Sequence, residues 1–250
     1  MTPITDMTYR AAEAQTSSIE HPKAELSSTW VVIPAYNDEG ELENVIASLE
    51  PHGYSIVVVD DGSRSKVVDS LRSRRVNVCR HVINLGQGAA LQTGIDFALL
   101  QGACYIVTFD ADGQHCSEDI PRLIEPIASG RYDVALGSRF MRGGRVENIP
   151  KSKLVILRCA ILLTRLVVGL PLSDIHNGLR ALTAKAARRI RITQDGMSHA
   201  TQILLEIASQ RIRYIEVPVT IRYTEYSIRK GQAISNAFNI IWDSVAGSFQ

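Results

Sequence analysis

Residues 105–115 read YIVTFDADGQH, an apolar run that passes without a break into two carboxylates, Asp110 and Asp112. A short continuous apolar segment is the pattern of a strand buried on both faces, as in a parallel sheet. Acidic residues at its end stand where an open α/β sheet binds its ligands, beyond the carboxyl ends of the strands. The same pattern repeats on either side. WVVIP (30–34) reads as a first strand stopped by Pro34, SIVVVDDGS (55–63) as a second ending in Asp60 and Asp61, and VNVCRH (76–81) as a short third. DVALGSR (133–139) and GLRALT (178–183) continue the series. YIEVPVTIRY (214–223) is a final edge strand or pair, because Pro218 is tolerated mainly at edges.

Helical patterns separate these strands. Asn37 is placed to cap a helix that carries Leu42, Val45, Ile46 and Leu49 on one face. The Gly-rich NLGQGAALQTGIDFALLQG (84–102) opens another, a long helix begins near Lys151, and ATQILLEIASQ (200–210) is a further one. The alternation predicts an α/β fold with a Rossmann-like, mostly parallel central sheet flanked by helices. No repeat or low-complexity linker divides it. Residues 29–231 are therefore read as one domain, between a flexible N-terminal tail (1–28) and a C-terminal amphipathic helix (232–250) with Ile234, Phe238, Ile241, Val245 and Phe249 on one stripe.

Composition narrows the function. In 250 residues, 27 basic side chains nearly cancel 26 acidic ones, and the formal net charge of +1 argues against a nucleic-acid binder. A hydrophobic fraction of 45% excludes a disordered chain. The four cysteines form no CxxC pair, which points to free thiols in a reducing cytosol, and no secretion signal is visible near the N-terminus. The most apolar segment, Leu154–Leu170, is interrupted by Arg158 and Arg165, so it reads as an amphipathic helix rather than a membrane span. Its apolar face is either half-buried in the domain or turned to lipid.

Three polar groups gather at the predicted strand ends: Pro34–Asp38, Asp60–Asp61 and Asp110–Asp112. Two residues apart on an extended chain, Asp110 and Asp112 point to one side with the small Ala111 between them, and two such carboxylates suit a hard divalent cation with positions left for phosphate oxygens. Gly88, opening a helix, leaves backbone N–H groups for phosphate or sugar. Other polar residues carry two readings each. Asp61 either caps the turn at Gly62–Ser63 or belongs to the site; His115 and His176 either make loop hydrogen bonds or ligate metal; Glu206 either pairs with a buried arginine or takes part in chemistry.

VIPAYNDE, VVVDDGS, NLGQGAAL, TFDADGQH, GSRF and EYSIRKGQ occur in the order seen in family 2 glycosyltransferases. Over residues 29–232 the chain resembles the dolichol-phosphate mannose synthase and bacterial polyprenyl-phosphate branch. The resemblance implies a GT-A fold and an inverting transfer from a nucleoside-diphosphate sugar, with Mg²⁺ or Mn²⁺. It places Pro34, Tyr36 and Asp38 around the nucleotide, Val58 and Asp60 on the base, and Asp110, Ala111 and Asp112 on the diphosphate. Asp110, Asp112 and Gln114 would hold the metal, and Arg222 and Lys230 would close over the diphosphate, with Lys230 stabilising the leaving group. Arg139 would approach the reacting phosphate. Lys151, Lys153 and Arg158 either solvate a helix face or receive an anionic acceptor. Asp112, Arg139 and Lys230 are the residues expected to carry catalysis. Gln87 and His176-Asn177-Gly178 depart from the family's usual Lys and Ser-Gly or Thr-Gly.

Two acceptors fit that pattern. A polyprenyl phosphate is already ionised and needs no base; a saccharide hydroxyl needs one, and Asp174 is then the candidate. The lipid acceptor implies a cytoplasmic protein, peripheral at the inner membrane face, held there by its apolar helical faces or by a small membrane-protein partner. A nucleotidyltransferase would carry a basic Gly-rich loop where PAYNDEGE is acidic, and a non-catalytic nucleotide-sugar-binding subunit would not need the intact Asp110/Asp112 pair.

Overall fold

In the computed structural model, residues 28–64, 74–149, 169–196 and 198–223 are described, with Leu71, Leu154, Leu157, Ile161, Leu162, Arg165 and Val168. The apolar runs form β1 (Thr29–Ala35), β2 (Ser55–Asp60), β3 (Asn77–Arg80), β4 (Tyr105–Thr108) and β5 (Val134–Ser138). With β7 (Arg180–Thr183) and β8 (Tyr214–Pro218) they make a seven-stranded sheet in the order β3-β2-β1-β4-β7-β5-β8. β1, β2, β3 and β4 pair in parallel, as do β5 and β8, while β7 runs antiparallel to both β4 and β5. The register Ala35↔Asp60 and Val32↔Thr108 brings the ends of β1, β2 and β4 to one rim. Pro218 ends the edge strand β8, where its missing N–H removes nothing from the ladder. The rest of YIEVPVTIRY leaves the main sheet as β9 (Thr220–Arg222), which pairs with a short strand β6 (Arg145–Glu147).

Helices cover both faces. α1 (Glu39–Leu49) and α3 (Ile120–Ala128) close an apolar core with Val31, Ile33, Val58 and Phe109. α2 (Gln87–Leu100), α4 (Ala184–Arg189) and α5 (His199–Ser209) close the other with Trp30, Val32, Val57 and Val59. Ile161 and Val168 join this second core, and Leu162 is exposed, so the described positions of the 154–168 segment support the half-buried reading. Asn37 is not the cap expected of it. It adopts a left-handed φ of 54°, and its side-chain oxygen accepts from the Arg64 N–H at 3.0 Å; Asp38 occupies the cap position with no side-chain cap bond. α3 escaped the sequence reading because Pro121 and Pro126 interrupt its pattern, yet Ile120, Leu123, Ile124 and Ile127 line its buried face.

No helix among the described residues is long and apolar enough to cross a membrane. The predicted tail (1–28), the C-terminal helix (232–250), and Lys151, Lys153, Arg158 and Lys230 lie outside the described residues, apart from Ser28.

Candidate active site

β4 ends at Thr108, and the Phe109 N–H, bonded to Val32 O at 3.0 Å, holds the chain against β1 as Asp110 emerges at the rim. One Asp110 oxygen, Oδ1, accepts from Gln87 Nε2 and the other, Oδ2, from His115 Nε2, each at 3.0 Å. The antiparallel β7 carries the preceding loop across this end of β4, where Thr108 Oγ1 donates to Gly178 O at 2.6 Å. Glycine makes this close approach possible: a Cβ on residue 178 would fall 2.2 Å from Asp110 Oδ2 and displace the carboxylate. Asp112 accepts from the Gln114 backbone N–H at 3.1 Å and from the Gln114 side-chain amide.

The two carboxylates titrate apart. Burial works against an ionised Asp110, but the His115 bond and the charges of His115, His199 and Arg180 outweigh it and hold the carboxyl below the usual carboxylate range. Burial and the neighbouring Asp110 charge push Asp112 up, against the pull of His115 and Gln114. A carboxylate offers about four lone-pair sites, so donors on each oxygen leave acceptor capacity for a cation. With the Gln114 amide turned to present its oxygen, the set is all oxygen and fits Mg²⁺ or Mn²⁺. Among the described residues no cluster of three or more His, Cys, Asp or Glu could hold a metal; an ion held by two carboxylates and one amide oxygen would take its remaining oxygens from phosphate or water.

The first two strand ends are arranged differently from the expectation. Pro34 pairs with Val59, Tyr36 is exposed at the rim, and its N–H donates to Asp38 Oδ2 at 3.2 Å. Val58 lies within β2 between Ile33 and Val78, fully buried in the core, which removes its side chain from contact with a base. Asp60 is also fully buried: Oδ1 accepts from Ser63 N at 2.9 Å and Oδ2 from Arg80 Nη1 at 2.7 Å. Asp60 therefore does the turn-capping proposed for Asp61. Asp61 instead points into the Gly-rich loop, accepting from Leu85 N at 2.9 Å and Gly86 N at 2.8 Å, with His81 Nδ1 at 2.7 Å. From the other side, the Gly88 N–H donates to Asp195 O at 2.7 Å, and a Cβ on Gly88 would meet Gln194 O at 1.9 Å. The loop gripped between them is what delivers Gln87 to Asp110.

Arg139 and Asp174 form one unit. Arg139 Nε lies 2.6 Å and Nη2 3.3 Å from the two Asp174 oxygens, the Arg139 N–H donates to Oδ2 at 3.0 Å, and Nη1 donates to Tyr223 Oη at 2.9 Å. The side chains are 6% and 1% exposed. Both expectations change: Arg139 faces Asp174 rather than an open phosphate site, and Asp174 has no oxygen free of the guanidinium to act as a base. Glu216 fixes the same turn by accepting from Ser173 N at 2.8 Å and Asp174 N at 3.1 Å. Glu206 accepts from Nε2 of Gln210, the residue that caps the end of α5, at 2.5 Å.

Arg222, on β9, lies beside the 110–114 segment; its N–H donates to Gln114 O at 2.9 Å and its Nε to Glu147 Oε2 at 3.0 Å. Burial draws His176 below its ordinary pKa. Two further residues of the site gave no signal in the sequence. Arg180, opposite Thr108 in the register, is buried and donates to the carbonyls of Asn177, Ile175 and Ala200 at 3.2, 3.5 and 3.3 Å; burial pulls it down to about 10. His199, at the start of α5, bonds Gly196 O at 2.8 Å. A charge inside an apolar strand and a histidine opening a helix look, in one sequence, like surface residues.

A three-layer α/β sheet whose carboxyl rim gathers an Asp-Ala-Asp pair has the architecture of a GT-A transferase. The solved structure of glucosyl-3-phosphoglycerate synthase from Mycobacterium tuberculosis, in complex with Mn²⁺, UDP and glucosyl-3-phosphoglycerate, matches with a TM-score of 0.69 at 16% identity, over 96% of this chain and 84% of that one. The chain belongs to glycosyl transferase family 2, whose pattern matches residues 30–191. Among its relatives, the UDP-N-acetylglucosamine–dolichyl-phosphate N-acetylglucosaminyltransferase of Methanococcus voltae is 31% identical over 233 residues, 85% of this chain and 93% of the relative. The polyprenol monophosphomannose synthase of Mycolicibacterium smegmatis is 32% identical over 214 residues, 81% of this chain and 80% of the relative.

Proposed function

We propose that this glycosyltransferase moves a sugar, with inversion, from a nucleoside-diphosphate sugar to a polyprenyl phosphate at the cytoplasmic face of a membrane. The observation that carries the choice of acceptor is the Arg139–Asp174 pair. A hydroxyl nucleophile needs a base at hydrogen-bonding distance, and the carboxylate that the sequence offered for that role is 1% exposed and bound to a guanidinium. A phosphate arrives ionised and needs only to be positioned. The named relatives act on lipid phosphates, which supports the same reading.

In this reading Asp110 and Asp112, with Gln114, would hold Mg²⁺ or Mn²⁺, which would supply positive charge for the diphosphate. Tyr36 and Asp38 border the nucleotide. Gln87 is held against the metal motif by the gripped loop, and Arg222 stands beside Gln114. Lys230 closes over the diphosphate, while Lys151, Lys153 and Arg158 receive the acceptor. Arg139 acts at one remove, fixing the 173–174 turn. The chain reaches its acceptor as a peripheral protein, through the C-terminal stripe or a membrane partner. The test compares undecaprenyl phosphate with undecaprenol as acceptors for a panel of labelled nucleotide sugars. Transfer to the phosphate alone is expected; transfer to the alcohol, or only to soluble saccharides, refutes the proposal.

A further inference from the structure

His115 has no place in the chemistry above, and its surroundings are unusual for a loop histidine. The side chain is 4% exposed, and Nε2 lies 3.0 Å from Asp110 Oδ2. The ring stands edge-on to Phe109, with centroids 5.2 Å apart at 71°, and the His115 backbone bridges to Ile221. Its second nitrogen, Nδ1, is buried and has no hydrogen-bond partner among the described residues. Burying a polar ring nitrogen without a partner costs free energy that an apolar side chain in the same space would avoid. What the imidazole supplies there and an apolar ring could not is the single bond to Asp110.

That bond acts on an oxygen already confined from another direction. Gly178 approaches Oδ2 so closely that a Cβ would stand 2.2 Å away. Oδ2 thus sits between Gly178 and an N–H donor on a ring that Phe109 and the Ile221 bridge hold in place. One lone pair of Oδ2 is taken by Nε2–H, and the carboxylate plane is fixed.

We propose that His115 is the positioning residue of the metal site: it sets the orientation in which Asp110 meets a divalent cation, without itself being a ligand. This rests on the assignment of Asp110 and Asp112 to the metal. Hydrogen-bonding partners of metal ligands are worth about 10–100-fold in affinity or activity when removed.

The test measures Mn²⁺ retention by the full chain, from the electron paramagnetic resonance of the free ion, with UDP and separately with GDP present. His115→Leu is expected to weaken Mn²⁺ binding about 10–100-fold. His115→Gln, whose amide N–H can reach where Nε2–H stood, recovers most of the affinity, and the shorter His115→Asn does not. A merely structural role would lower the metal-free melting temperature of both amides and leave their Mn²⁺ affinities alike. If the Leu variant does not fold, the Gln and Asn pair decides the matter. His115→Leu or His115→Asn binding Mn²⁺ as tightly as the parent, or Gln doing no better than Asn, overturns the proposal. Failure of the unsubstituted chain to retain Mn²⁺ is a different result, refuting the metal assignment and this inference with it.

Discussion

Gly178 and Asp174 show how single residues of one segment shape the site. A methyl group on Gly178 would collide with Asp110 Oδ2 at 2.2 Å, so Gly178→Ala is expected to cut transfer at least tenfold while costing about 1–3 kcal/mol of stability, as overpacking does; turnover and a urea melt on one preparation check both. Asp174→Asn removes one partner of a buried ion pair and should lower stability by about 3–5 kcal/mol. The double variant Arg139→Met/Asp174→Leu is predicted to recover much of that in the same melt, since no charge is then left unpaired. Asp112→Asn is expected to abolish transfer with an unchanged melting profile, because it takes a charge from the rim and nothing from the core. Proton competition gives a pH signature. Asp112 is raised by burial and by the Asp110 charge, so it takes up a proton before an ordinary carboxylate would as pH falls, and that proton competes with a cation. Mn²⁺ affinity should therefore decline on acidification beginning above the normal carboxylate range, and Asp112→Asn should flatten this dependence; a parent curve that declines only within the normal range contradicts the coupling.

The Gly-rich loop carries the coupling between elements. Asp61, just past β2, accepts the Leu85 and Gly86 N–H groups, and the loop in turn sets Gln87 on Asp110. Asp61→Ala is predicted to cost about 1.5–3 kcal/mol, the usual worth of a hydrogen bond to a charged group, and to speed hydrogen exchange at Leu85 and Gly86 before any strand of the sheet. Unchanged exchange there would mean the loop is held by Asp195 alone. How much of this was legible follows from what each pattern contains. β1, β2, β4 and β5 are apolar runs buried on both faces, and the sequence displays them directly. β7 was legible as a strand, but period-two hydrophobicity has no direction, so its antiparallel course was not. α3 was hidden by its prolines, and three-residue β6 is too short to show a period. At the site, Asp110 and Asp112 were visible because carboxylates end an apolar run. For Asp61 both a turn cap and a place in the site were open from the sequence; it is Asp60 that caps the turn, while Asp61 holds the Gly-rich loop, and nothing local distinguishes two adjacent carboxylates. The Arg139–Asp174 pair spans 35 positions, and nothing local marks it.

At the scale of the molecule, the proposed lipid-phosphate acceptor fits a family 2 glycosyltransferase fold in which Asp174, the carboxylate a hydroxyl acceptor would call on, is held in an ion pair. Sheet, rim and loop together converge on the Asp110–Asp112 motif, to which the proposal assigns the metal. The most direct measurement is a transfer assay with the full chain, liposomes containing polyprenyl phosphate, and nucleotide sugars labelled in the sugar. The account predicts label in the organic-extractable lipid fraction with one of the donors, dependent on Mg²⁺ or Mn²⁺, lost with a chelator and lost with Asp112→Asn. Label that stays in water-soluble products, or lipid labelling that survives both the chelator and Asp112→Asn, would contradict it.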